Sequence, residues 1–448
     1  MTRGAVGLLL CGCALACSSG EGKTAFVGAT VIDGTGAPPI ANAVILVDGG
    51  RIEAVGPEEA VVVPRGTARV SLEGRWVIPG LIDMHARAAP WMLTRFLAYG
   101  VTSVRDAGSP EPAVFTLRDD VLIGNATGPR LYVGGAPIDR APSAVPGATA
   151  VGTADEARRA IDQIVLLDAS HAPVDIGIDE RLLRPLMDEA RTLKLPVAAR
   201  LGKIDAVTAA RMGVRMLDHM SGVVQAAVAA PRLFYDAYND PYIGWKTFER
   251  GWAAVDSATL ERVASALVEA GAAIIPTLVL HETYSKLGDE ALLSGRDLAG
   301  VPDSVRGTWD VPALLQRSRI TAADFEAFAR SRPVQDRFVR IFDRAGGLVG
   351  AGSGTPGAYL APGASLHEEL AALVRAGLTP ERALRSATGD AARIMVVDSL
   401  GVLRAGAVAD FVVLTRNPLQ DIANALAIES VVLRGVPRRP SELRSAWN

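Results

Sequence analysis

The chain changes its hydrophobic rhythm twice. Near the start, AVILVDGGRIEAVG (43–56) sets two alternating apolar runs on either side of Asp48-Gly49-Gly50, a tight-turn signal that predicts a β-hairpin. Strand-like runs return near the other end as DFVVL (410–414) and ESVVLRG (429–435). Between them, short continuous apolar runs alternate with helix-length amphipathic stretches, the pattern of buried parallel strands with crossover helices. The strand candidates are residues 76–85, 101–108, 130–135, 172–178, 195–200, 214–220, 272–280 and 347–354. Eight strands, each followed by room for a helix, predict an α/β fold built on a (β/α)8 TIM barrel.

Helix starts carry their own signals. Thr153 with Glu156 and Ser365 with Glu368 fit the capping box, and Thr379-Pro380 places proline at a first helical position. Residues 221–256 hold Phe234, Tyr235, Tyr238, Tyr242, Trp245, Phe248 and Trp252. That density of rings predicts either a long insertion over the barrel mouth or aromatic packing beneath a loop.

The first residues read differently. MTRGAVGLLLCGCALACSSGEGK has a basic residue, an apolar run and then small residues, the form of an export signal. Cys17, before a small polar tether, is the expected lipidation site, and Cys13 after LCG is its rival. Residues 1–17 are thus a lipoprotein-type signal and 18–23 a tether. The expected location is the bacterial cell envelope, periplasm or outer membrane, with membrane contact through a lipid anchor alone. All three cysteines, with Cys11, lie in this segment, so a chain cut at Cys17 has no disulfide or thiol chemistry in its fold.

Composition narrows the function. Hydrophobic residues form 49% and charged residues 21% of 448 residues, and net charge is −3. That supports a large core and offers no basic surplus for nucleic acid. No oligomeric state is implied.

Chemistry in such a barrel gathers where strands end. The first ends in His85-Ala86-Arg87, the second in Arg105-Asp106, the fifth in Arg200 and the sixth in Asp218-His219. His-x-His at a strand end suggests a metal site, yet Arg87 has no lone pair to give. His171, His281 and His367 read as packed or solvated. GSGTPG (352–357) lacks the Lys-Ser/Thr of a phosphate loop and reads as a barrel turn.

WVIPGLIDMH, GVTSVRDAG, LPVAAR, MGVRMLDH, IIPTLVL, GAGSGTPG and GVLRAGAVADFVVL, in this order, resemble the amidohydrolase superfamily, most closely its imidazolonepropionase- and prolidase-like branch. The resemblance spans about residues 24–440. It implies a barrel over 76–401 and a small composite β-sandwich from 24–75 and 402–440. It also implies metal-assisted hydrolysis of C–N bonds (amide, imide, dipeptide) or of esters and lactones.

The family's metal ligands come over position by position. His85 and His219 match ligand histidines. Arg87, Gly177, Arg200 and Ser353 stand where the second histidine, the carboxylated lysine, the third histidine and the aspartate are expected. A catalytic zinc keeps three protein ligands and an open site, so the resemblance leaves no expected cofactor beyond a weakly bound single zinc. The expectation is a non-catalytic or strongly altered barrel binding a small, anionic molecule, with an unorthodox hydrolase as the alternative. The candidate pocket is His85, Arg87, Arg200, Asp218, His219 and Ser353. Arg87 and Arg200 are expected to fill the metal volume, pairing with Asp83, Asp106 or Asp218 or holding an anion bidentately.

Overall fold

The computed structural model describes residues 20–289, 291 and 294–447. The signal segment with Cys11, Cys13 and Cys17 lies outside the described residues. Both chain ends build one eight-stranded sheet. Its strands are β1 (Thr24–Val31), β2 (Ile40–Asp48), β3 (Arg51–Pro57), β4 (Ala68–Ser71) and β5 (Trp76–Pro79), joined later by β15 (Phe411–Leu414), β16 (Ile428–Leu433) and β17 (Val436–Arg438). The order is β17-β16-β15-β5-β1-β2-β3, with β4 beside β1. The hairpin expected at Asp48-Gly49-Gly50 is present as antiparallel β2 and β3. Phe26, Ile45, Val77, Phe411 and Val413 form the sheet's core.

The barrel strands are β6 (Leu81–Ala86), β7 (Val101–Asp106), β8 (Arg130–Tyr132), β9 (Ile138–Arg140), β10 (Thr149–Val151), β11 (Ala172–Val174), β12 (Val197–Ala199), β13 (Met216–Asp218) and β14 (Ala273–Ile275). Their ladders form a six-stranded sheet, β10-β9-β11-β12-β13-β14, and a three-stranded one, β6-β7-β8, so the expected closed barrel is not a continuous ladder. On one side β9 pairs with β11 where β8 was expected to pair. On the other, residues 347–354 make isolated bridges, Ile274 with Val349 and, just beyond, Ala86 with Thr355. Four glycines in those eight residues supply no side chains to pack and weaken a strand there.

Three expected strands are cut short, each for a local reason. Residues 76–85 divide at Gly80, with β5 pairing β15 and β6 pairing β7. A Cβ on Gly80 would sit 2.0 Å from Thr102 Oγ1, so the chain passes between two sheets at a residue with no side chain. Residues 272–280 stop at Ile275 and turn into a helix at Leu278–Ser285. Pro276 has no N–H for a ladder, and Thr277 takes a φ of +49°. Residues 172–178 end at Val174, because Asp175 accepts its own neighbour Ile176 N–H at 2.8 Å and turns the chain.

Two of the three expected caps form. Thr153 Oγ1 accepts from Glu156 N–H at 3.3 Å while Glu156 accepts from Thr153 N–H at 3.1 Å. Thr379 caps Pro380–Ser386. Ser365 instead lies inside Ala364–Arg375 and accepts from Ala361 N–H at 3.0 Å, and Glu368 turns to Arg296. Residues 221–256 fold into helices Val223–Ala227, Arg232–Ala237 and Pro241–Gly251. Phe234, Tyr238, Phe248 and Trp252 enter the core, and Tyr238, Tyr242 and Trp245 line a cavity at the mouth.

Candidate functional site

Strand ends β6, β7, β11, β12 and β13 converge on one mouth. His85 Nδ1 lies 3.3 Å from Asp218 Oδ2, and the His85 and His219 rings stand 4.3 Å apart at 65°. Asp218 is gripped from below by Arg105, which also donates from Nε to Met84 O at 2.6 Å. Burial alone pushes the Asp218 carboxyl up. The Arg105 guanidinium and His85 outweigh it and hold the group well below the usual carboxylate range.

His219 is fixed by backbone and neighbour together. It and Met220 take φ values of +60° and +54°, a left-handed pair that aims the ring back into the mouth. Thr277 Oγ1 donates to Pro276 O at 2.7 Å, so it accepts from His219 Nδ1 at 2.7 Å. That leaves Nε2 as the nitrogen with the lone pair. Burial and the nearby His85 keep the ring neutral, its pKa well below the ordinary value.

The two arginines behave differently. Arg200 forks onto Asp175, Nε to Oδ1 at 2.7 Å and Nη2 to Oδ2 at 3.0 Å. Burial lowers the Arg200 pKa, but Asp175 more than restores it. Arg87 sits at the rim with its backbone N–H on Thr355 O at 2.7 Å. Its guanidinium has no hydrogen-bond or ion-pair partner among the described residues. It is open to solvent through the mouth yet hemmed by the wall. That burial and the charge of Arg200 lower its pKa, against the pull of Asp175 and Asp106.

The expected acid partners are therefore elsewhere. Asp106 is spent on Ala88, Gly108 and Ser109 N–H groups and the Ser109 hydroxyl. Asp83 Oδ1 accepts from His85 N–H at 3.1 Å and Ser353 N–H at 2.9 Å, and burial raises its pKa against those bonds. Asp218 belongs to Arg105. Asp175, the partner of Arg200, was not singled out in the sequence. Its signal was there, as the residue that immediately follows the apolar run of β11.

Five of the six candidate residues line one cavity of about 170 Å3: His85, Arg87, Arg200, Asp218 and His219, with Asp175 among them. Ser353 does not reach it. It is fully buried, bonded to Asp83 and to Thr355 Oγ1 at 2.9 Å, which removes it as a partner for His219. Gly177 lies past the strand end, where a Cβ would meet Asp139 Oδ1 at 2.6 Å. Outside the first cavity is a second of about 370 Å3, walled by Tyr238, Tyr242, Trp245 and Tyr284, and Arg87 and Arg200 line both. His171, His281 and His367 are all buried, so of the packed and solvated readings the packed one holds.

The donor set does not fit a catalytic dication. His85 and His219 offer two nitrogens, Asp218 is held by a guanidinium, and Arg87 and Arg200 occupy neighbouring positions. Among the described residues, no group of three or more His, Cys, Asp or Glu side chains is placed to hold a metal.

Residues 336–437 match the amidohydrolase family. That stretch covers the Gly-rich segment and the return to the end sheet; of the candidate positions it holds only Ser353. No curated protein matches the sequence. The fold is amidohydrolase-like, with prolidase-like structural neighbours. It is similar to a candidate prolidase from Bifidobacterium longum at 25% identity, covering 93% of this chain and 95% of that one, TM-score 0.68. A bottromycin amidohydrolase gives 21% identity, 95% and 91% coverage and a TM-score of 0.72. A prolidase complexed with N-methylphosphonate-L-proline gives 22% identity, 93% and 99% coverage and a TM-score of 0.67.

Proposed function

We propose that this chain is an amidohydrolase relative whose barrel mouth binds a small anionic molecule and does not perform metal-assisted hydrolysis. In this reading it is exported and tethered at the cell envelope through Cys17. One observation carries the binding function: Arg87, at a position where the family resemblance calls for a ligand histidine, lines the mouth with no partner for its charge. A guanidinium at the open mouth of a pocket favours a carboxylate or phosphate by charge-assisted hydrogen bonds. A dication in the same volume would meet the unpaired guanidinium charge of Arg87, that of Arg200 being matched by Asp175.

His85, His219 and Asp218 then serve as polar walls of the pocket. An unorthodox hydrolase built on these three residues and the two arginines, Arg87 and Arg200, is the competing reading. Purified full-length protein separates the two by metal analysis and by turnover of amide, dipeptide and lactone substrates with and without chelator. The binding reading expects sub-stoichiometric metal and no turnover. Stoichiometric zinc, manganese or iron with chelator-sensitive turnover overturns it.

A further inference from the structure

The charges at the neck between the two cavities leave one positive charge over. Asp218 is paired with Arg105 and Asp175 with Arg200, and Arg87 alone is unpaired. The neck therefore suits a single negative charge. Beyond it the cavity changes character. Tyr242, Trp245 and Tyr284 supply flat apolar faces, and Leu314 lies among them. Trp245 cannot turn freely, because it stacks on His281 at 5.3 Å and 14° and meets His219 edge-on at 5.5 Å. A ring so held is a fixed platform that loses little freedom when a second ring packs on it.

We infer that the site takes an aromatic monocarboxylate. Arg87 holds the carboxylate at the neck, and the aromatic walls of the outer cavity hold the ring. This rests on the anion-binding reading above and deepens it by naming the ligand class.

Phenoxyacetate is a simple probe with both features, ring and carboxylate, and calorimetric titration of the full chain tests each in turn. Phenoxyacetate is expected to bind at least about tenfold more tightly than neutral phenoxyacetamide, and Arg87→Met to erase that preference. Methoxyacetate, which keeps the charge without the ring, is expected to lose about tenfold or more, and Tyr242→Ala to weaken phenoxyacetate alone. Circular dichroism checks that each variant is folded.

Acid and amide binding within twofold, or an acid preference that survives Arg87→Met, overturns the inference. If methoxyacetate binds as tightly as phenoxyacetate and still depends on Arg87, the aromatic class fails while anion binding stands. Absence of any binding overturns the ligand class, and metal content with turnover then decides the broader reading separately.

Discussion

The end sheet and the barrel mouth obey different rules within one chain. In the sheet, Phe26 meets Phe411 edge to face at 5.0 Å, and Val77, Val413 and Val432 close around them. Apolar area removed from water stabilises that region, and its strands alternate as pleating requires. At the mouth, charges are buried, backbones turn left-handed at His219, Met220 and Thr277, and polar atoms lack partners. Residues there oppose stability locally and are held by what surrounds them. The contrast separates a region organised by apolar burial from one that holds charge at the cost of local stability.

The largest effects should come from breaking either region by its own rule. Asp218→Ala leaves the Arg105 charge buried and unpaired, with an expected loss of about 3–5 kcal/mol in denaturant unfolding. Phe411→Ala in the sheet should lose about 3–5 kcal/mol by cavity formation, yet leave ligand affinity unchanged where folded protein remains. Equal damage to affinity by both variants would erase the distinction between the regions.

A smaller effect separates them by pH. Glu369 is buried in Ala364–Arg375, where one carboxyl oxygen accepts from Val279 N–H at 2.7 Å and the other has no partner. Burial pushes its pKa up to about 8 despite that bond. The unfolded chain releases this proton near the ordinary glutamate value, while the folded chain keeps it. Stability is therefore lost as pH rises from the unfolded value through about 8. Glu369→Gln should be neutral at pH 4 and stabilising by on the order of a few kcal/mol above pH 8, read from urea midpoints. A gain that does not grow with pH would remove the buried acid from the account.

The smallest stability effect falls on Arg87, the residue on which the proposed binding rests. Arg87→Met should change stability by no more than about 0.5 kcal/mol, because no partner is lost and repulsion from Arg200 is relieved. Loss of several kcal/mol would show that Arg87 braces the fold.

Much of the fold was legible because it follows periodicity. The hairpin at Asp48-Gly49-Gly50, the cap at Thr153 and the strand ends at His85 and His219 all follow from local pattern. The pairing at the mouth was not, because it depends on neighbours far apart in sequence. Asp175 serves Arg200 across 25 residues, and Arg105 serves Asp218 across 113. Asp83, Asp106 and Asp218 looked equally available to the two arginines until backbone N–H groups and Arg105 were seen to claim them. Ser353 was placed at the mouth by the resemblance, but Asp83 draws it inside the wall. The division of residues 76–85 was hidden because an apolar run does not say which sheet each half will join.

Gly80 gives that division a further meaning. Its N–H donates to Asp410 O at 2.9 Å, and the Asp410 carboxylate takes Arg130 from the barrel and the Arg434 N–H from the sheet. The sheet and β6 are thus tied together at Gly80, five residues before His85. A slip of one residue in the pairing of β5 with β15 would invert the facing of every side chain on that strand. It would also carry His85 out of the mouth. The depth of the pocket is gauged from outside the barrel, by strands that never touch a ligand.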